Sequence, residues 1–173
     1  MKWIPITAII CLVIAVSAVS AAGAGAPIGV DTAKEKAQDF LNAPDATVQY
    51  QKTERLNLGE YYVFGTGDGQ VYANARTGVI ERATFDSARK GCQDIRLGPA
   101  AAEAAARAYV EEKYSGFTKK NMRLIESSPV SHGDAGSEYS YIWREEISGV
   151  LTPNTVVVNL NPSTGEIVSY IGI

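Results

Sequence analysis

A chain of 173 residues with 46% apolar and 20% charged residues lies inside the ordinary globular range, which excludes collagen-like, low-complexity and wholly disordered readings. Sixteen Lys and Arg against 19 Asp and Glu leave a net charge of -3, so there is no diffuse basic field to hold nucleic acid, and no nucleic-acid partner is expected. Two cysteines and one histidine are too few soft ligands for a zinc site and offer a single imidazole base. No metal, no cofactor and no catalytic residue is therefore expected.

Residues 1–26 read as a targeting segment. Met1 and Lys2 supply a short positive region, Ile4 to Val16 is almost wholly apolar, and Ser17 to Ala26 is a run of small residues with several Ala-x-Ala-like cleavage points; this is the build of a secretory signal peptide. The charge-free stretch from Trp3 to Ala26 also has the ~20 residues that an uncleaved N-terminal membrane anchor needs. Under either reading the folded part is secreted or otherwise extracytoplasmic, and it meets a membrane only through this segment if it is retained. Cys11 lacks the small-residue context of a lipidated cysteine. Without that segment Cys92 is the one thiol, no intramolecular disulfide is available, and stability must come from packing.

The first predicted element is a helix. Thr32 and Glu35 have capping-box spacing, Ala33, Ala37, Phe40 and Leu41 form one apolar stripe, and Pro44 stops it. Short β-prone runs follow at Thr47–Lys52, Glu60–Phe64, Gln70–Asn74 and Val79–Phe85. The separators Gly65-Thr66-Gly67-Asp68-Gly69 and Asn74-Ala75-Arg76-Thr77-Gly78 are hairpin chemistry, because Gly and Asn accept the positive φ of tight turns. A second helix is predicted over Ala100–Tyr114, with Pro99 at its start, Gly116 after it, and Ala102, Ala106, Tyr109 and Val110 repeating the first stripe. Its strands are expected at Met122–Ser127, Tyr139–Glu146, Thr155–Leu160 and Ile167–Ile171.

The order of helix, strand, hairpin, hairpin thus occurs twice. The last turn carries the clearest match: Val71, Asn74, Thr77, Gly78 and Ile80 coincide with Val158, Asn161, Thr164, Gly165 and Ile167 at a constant offset of 87, while the helices match at 69. The 18 extra residues of the second copy are placed in loops, from Pro129 to Ser137 and from Ser148 to Asn154. The expected fold class is α+β, in two tandem units over 28–90 and 91–173, each one helix packed on a small antiparallel sheet.

A helix with early alanines, then Tyr141-Ile142-Trp143-Arg144, a turn at Gly149 and Val150, and Val156-Val157-Val158-Asn159-Leu160-Asn161-Pro162-Ser163-Thr164-Gly165-Glu166-Ile167 resembles the PepSY domain, the family found in peptidase propeptides and in YpeB. The resemblance covers Pro99 to Ile173 and, more weakly, Thr32 to Phe85. The family's usual aspartate of the last turn is Asn161 here and Asn74 in the first copy. The resemblance implies a non-catalytic domain outside the cell that inhibits or chaperones a peptidase, or a sensory and binding module; it transfers no catalytic residue. With no catalytic domain expected after the second unit, a secreted or membrane peptidase partner is expected to act in trans.

Single groups add little chemistry. His132 lies in a loop-like stretch with no second histidine, Cys92 and His132 lack a local signature of a thiolate pair, and Gly65, Gly67 and Gly69 are followed by no helix that would make them a phosphate cradle. Tyr139, Tyr141 and Trp143 share one strand face, with Tyr61 and Val63 in the comparable strand of the first unit. That face packs under the helix as core, or, if exposed, is a partner-binding face with Arg144, Glu145 and Glu146 as its polar rim. Three functions follow: a peptidase-binding or inhibitory protein; a structural or sensory module of the cell envelope tethered by its N-terminal segment; and an enzyme dependent on Cys92.

Overall fold

The computed structural model describes residues 26–43, 47–90, 92, 94–133 and 136–173. The signal or anchor reading of residues 1–26 and the helix stop at Pro44 fall outside the described residues, Ala26 apart. Among the described residues no helix is long and apolar enough to cross a membrane.

Helix α1 spans Val30–Phe40 and α2 spans Pro99–Lys113. Their N-caps are Gly29 and Gly98, both extended and 69 apart, and neither helix has a side-chain cap bond; Thr32 sits inside the first turn of α1 rather than at its cap. The apolar stripes bury as spaced: Ala33 and Ala37 in α1, Ala102, Ala106 and Val110 in α2. Small residues let each short helix approach its sheet closely, and the packing, not helix propensity, holds it there.

Eight strands follow the helices: β1 Gln49–Leu56, β2 Gly59–Thr66, β3 Gly69–Asn74, β4 Ile80–Phe85, then β5 Met122–Ser131, β6 Ser137–Ile147, β7 Val150–Leu160 and β8 Ile167–Gly172. They do not form two small sheets. All eight belong to one antiparallel sheet in the order β1-β2-β3-β4-β8-β7-β6-β5, which corrects the expectation of two separate helix-on-sheet units. The physical reason is the unpaired edge that a four-stranded meander leaves on its last strand. Strands β4 and β8 satisfy each other's edge through Arg82↔Ile171, Ala83↔Tyr170 and Thr84↔Ser169. Ala83 and Tyr170 are themselves 87 apart, and the flanking pairs exchange positions under that same offset, so the seam is a local two-fold.

Both helices lie on one face of the sheet. Tyr170 at the seam meets Phe40 of α1 at 5.4 Å between ring centroids and Tyr109 of α2 at 5.9 Å. The core beneath the helices comprises Phe64, Val71 and Ala73 in the first half and Tyr141, Trp143, Val156, Val158 and Leu160 in the second. Residues 86–97 link the halves, passing through a short 3-10 turn at Ser87–Arg89.

Two further expectations change. The extra residues of the second half lengthen hairpins instead of loops: β6 and β7 are 11 residues each, against 8 and 6 for β2 and β3, and β7 already begins at Val150. Tyr61 and Val63 lie on the opposite face from Tyr139, Tyr141 and Trp143. In β2 it is Phe64 that joins the core, with Tyr62 packed against it, and alternation then sends 61 and 63 to the helix-free side.

Candidate functional site

Tyr139, Tyr141 and Trp143 project from β6 toward the helices and are buried. Trp143, 0% exposed, stacks on Tyr141 at 5.9 Å and meets the edge of Phe117 at 5.8 Å. The hydroxyls of Tyr139 and Tyr141 donate to the carbonyls of Leu97 and Pro99, both at 3.1 Å, which ties β6 to the start of α2. Burial pushes the Tyr141 phenol up to about 12. Arg144, on the other face, is fixed by donating Nε and Nη2 to the Thr152 carbonyl at 3.1 and 2.7 Å. The aromatic side chains and Arg144 are thus positioned within the fold, and the exposed apolar surface lies elsewhere on the same hairpin.

That surface is the tip of β6–β7. The strands close through Ser148 and Gly149, with φ of 51° and 80°, the two-residue turn with both centres positive that suits the right-handed strand twist. The flanking pair Ile147↔Val150 is 57% and 67% exposed. Behind it Arg123 pairs with Glu146 at 2.9 Å, and Glu145 accepts from Asn154 and Thr152. The counterpart in the first half, the β2–β3 turn at Gly67 and Asp68, is polar and tied down: the Asp68 carboxylate accepts from the Ser87 backbone N–H at 2.6 Å and hydroxyl at 2.5 Å. An apolar, untethered tip at one hairpin and a polar, tethered one at the other is the asymmetry of interest. The sequence carried a signal for it, two bulky apolar residues flanking a Ser-Gly turn where polar residues are usual.

The two repeated turns match bond for bond. The Asn74 side-chain Oδ1 accepts the N–H groups of Arg76 and Thr77 at 3.0 and 3.3 Å, and Asn161 Oδ1 accepts those of Ser163 and Thr164 at 2.8 and 3.3 Å. Thr77 and Thr164 accept from Val79 and Glu166 at 3.2 and 3.3 Å. Gly78 and Gly165 close the turns at φ of 70° and 78°. The amide nitrogens differ: Asn161 Nδ2 donates to the Ala88 and Lys90 carbonyls, whereas Asn74 Nδ2 donates to Glu81 Oε1 at 2.9 Å. These turns build the sheet and pin the linker; they present no reactive group.

Cys92 is buried, with its sulfur 3.7 Å from the Ala88 carbonyl. Burial first, and then the Glu138 charge, push its thiol above the ordinary value, the opposite of what a cysteine nucleophile requires. His132 faces Glu138 at 3.7 Å, and Glu138 also pairs with Arg89 at 3.3 Å.

The helix-free face carries one transverse row through all eight strands, Lys52, Val63, Tyr72, Arg82, Ile171, Val157, Ile142 and Glu126, each paired with the next. Over its first half the β1–β2 hairpin walls a cleft of about 510 Å³. In its floor Tyr61 donates to Glu81 at 2.5 Å, and Arg82 lies 5.5 Å from the centroid of Tyr72. Burial and then the Glu81 hydrogen bond raise the Tyr61 phenol.

No family model matches the chain, and no curated protein does. Among solved structures the chain is similar to the Bacillus megaterium YpeB C-terminal domain, with a TM-score of 0.63 and 16% sequence identity, over 85% of this chain and 64% of that one. The chain therefore spans somewhat less than two thirds of that domain's length. At this identity the likeness is one of fold alone: a helix-backed antiparallel sheet.

Proposed function

We propose that the chain is a non-catalytic PepSY-like module, built of two tandem copies and exported from the cytoplasm, that binds a secreted or membrane peptidase in trans and inhibits or chaperones it. The fold likeness and the bond-for-bond match of the turns at Asn74 and Asn161 support the PepSY-like part. The observation that carries the binding part is the exposed Ile147–Val150 tip, a two-residue turn with apolar flanks that can enter a partner's cleft as a loop. A sheet edge is the poorer candidate. Both edge strands are bulged at matching places, between Tyr50 and Lys52 in β1 and between Leu124 and Glu126 in β5, and β5 carries Pro129; these are devices that discourage strand addition.

The test is titration of the chain lacking residues 1–26 against the secreted peptidases of its own source cells. Wild type is expected to change the activity or the folding yield of one of them, and the double variant Ile147→Asp, Val150→Asp to lose that effect at an unchanged melting temperature. Unchanged activity and yield for every peptidase at micromolar excess would count against the reading.

A further inference from the structure

We propose that the cleft on the helix-free face binds a small amphiphilic anion, one carboxylate on a hydrocarbon body. This goes beyond the peptidase reading and does not depend on it.

Charge defines one end of the ligand. Arg55, from the end of β1, and Arg82, from β4 at the seam, both line the cleft, and neither is in an ion pair among the described residues. The acid that shares the cleft is already engaged: Glu81 accepts from Tyr61 on Oε2 and from Asn74 on Oε1. Two guanidinium groups without carboxylate partners thus border one cleft in a chain whose net charge is -3. Guanidinium is the side chain best shaped for bidentate pairing with a carboxylate.

The rest of the lining defines the other end. Leu58 at the hairpin tip is 65% exposed and Ile173 is 38% exposed, and both border this cleft together with Leu56 and Ile171. Large apolar side chains left open to water on both sides of one cleft mark a binding surface more than scattered exposure does. Its volume of about 510 Å³ is in the range of small-molecule sites.

The backbone chooses between a hydrocarbon and a peptide. The cleft floor is the face of β2, β3, β4 and β8, whose N–H and C=O groups are spent in the sheet ladders. A peptide laid across it would leave its own main-chain groups without partners, at a cost in free energy. A hydrocarbon body meets the same floor with nothing to leave unpaired.

The experiment is calorimetric titration of the full chain with decanoate below its micellisation, beside 1-decanol and the free tripeptide Ala-Ala-Leu, for wild type and the double variant Arg55→Gln, Arg82→Gln. Both arginines are exposed, so the variant is expected to keep the wild-type circular dichroism and melting temperature. The expected result is saturable one-to-one binding of decanoate that is weaker by about tenfold or more for decanol and for the double variant, the loss that follows from removing charge-assisted hydrogen bonds. Equal binding of decanol, unaltered affinity in the double variant, or no saturable decanoate binding would overturn the proposal. Tighter binding of the tripeptide than of decanoate would overturn it in favour of a polypeptide C-terminus.

Discussion

Asn161 is fully buried because its side-chain amide works in two directions at once, accepting from its own turn and donating to the linker carbonyls of Ala88 and Lys90. An aspartate of the same shape would keep the first and lose the second, placing a carboxylate against two carbonyl oxygens. Asn161→Asp is expected to cost about 3 kcal/mol at neutral pH, measured by denaturant unfolding, because a buried unsatisfied charge is penalised more than a missing neutral bond. Asn74→Asp would instead set its new carboxylate beside Glu81. Two like charges raise the folded-state pKa of the pair above its unfolded value, so the group favours the folded state below that unfolded pKa and disfavours it as pH rises through the folded one. The penalty of Asn74→Asp should therefore be present at neutral pH and shrink in acid; a penalty independent of pH would contradict the Asn74–Glu81 contact.

Trp143 and the buried tyrosines set a second test at this scale. Trp143→Ala is expected to destabilise by about 3 to 5 kcal/mol, as large-to-small changes in closed cores do. Loss of a partner in that variant would report unfolding, not contact. The phenols of Tyr61, Tyr109, Tyr141 and Tyr170 are all raised, chiefly by burial. Being raised, they stabilise the fold fully below the free-tyrosine value of 10.0, and that contribution is lost as pH climbs through their folded values. Phenolate absorbance should show these four tyrosines ionising together with alkaline unfolding.

Hairpins are the elements that diverge between the halves. The β6–β7 pair is longer than β2–β3, and its tip is apolar and untethered where the other is polar and tied to Ser87. Ile147→Asp and Val150→Asp, made singly, are expected to shift stability by no more than about 0.5 kcal/mol in thermal melts, as exposed substitutions do, while each weakens partner binding. The helix stripes were legible in the sequence, since Ala33, Ala37, Ala102, Ala106 and Val110 stand at helical spacing and are the residues buried. So were the turns at Asn74 and Asn161, whose Gly and Asn chemistry is local. The facing of β2 was not legible, because Tyr61, Tyr62, Val63 and Phe64 are apolar or aromatic without interruption and alternation has nothing to act on. The tip pair was readable but lay just outside the aromatic run Tyr139, Tyr141, Trp143, whose hydrophobicity reflects the core.

At the scale of the whole molecule, one pairing makes one body of two similar halves. Strands β4 and β8 stand 87 residues apart, and nothing in either strand's own pattern names its neighbour, which is why an edge-to-edge seam is invisible to a reading of periodicity. The consequence is a single broad sheet with the helices on one side and an uninterrupted row from Lys52 to Glu126 on the other. Tyr170 sits at the seam and touches a ring from each helix, so Tyr170→Ala should lower the stability of both halves together, in one transition.

Native-state hydrogen exchange across the seam tests this most directly, read at the amides of Ala83 and Tyr170, the pair that faces across it, and compared with those of β3 and β7. A sheet that folds as one unit predicts that the seam amides open with the same free energy as the strands on either side, at the global unfolding value. Seam amides that exchange well before β3 and β7, with the two halves staying protected on their own, would contradict it and return the molecule to two independent units.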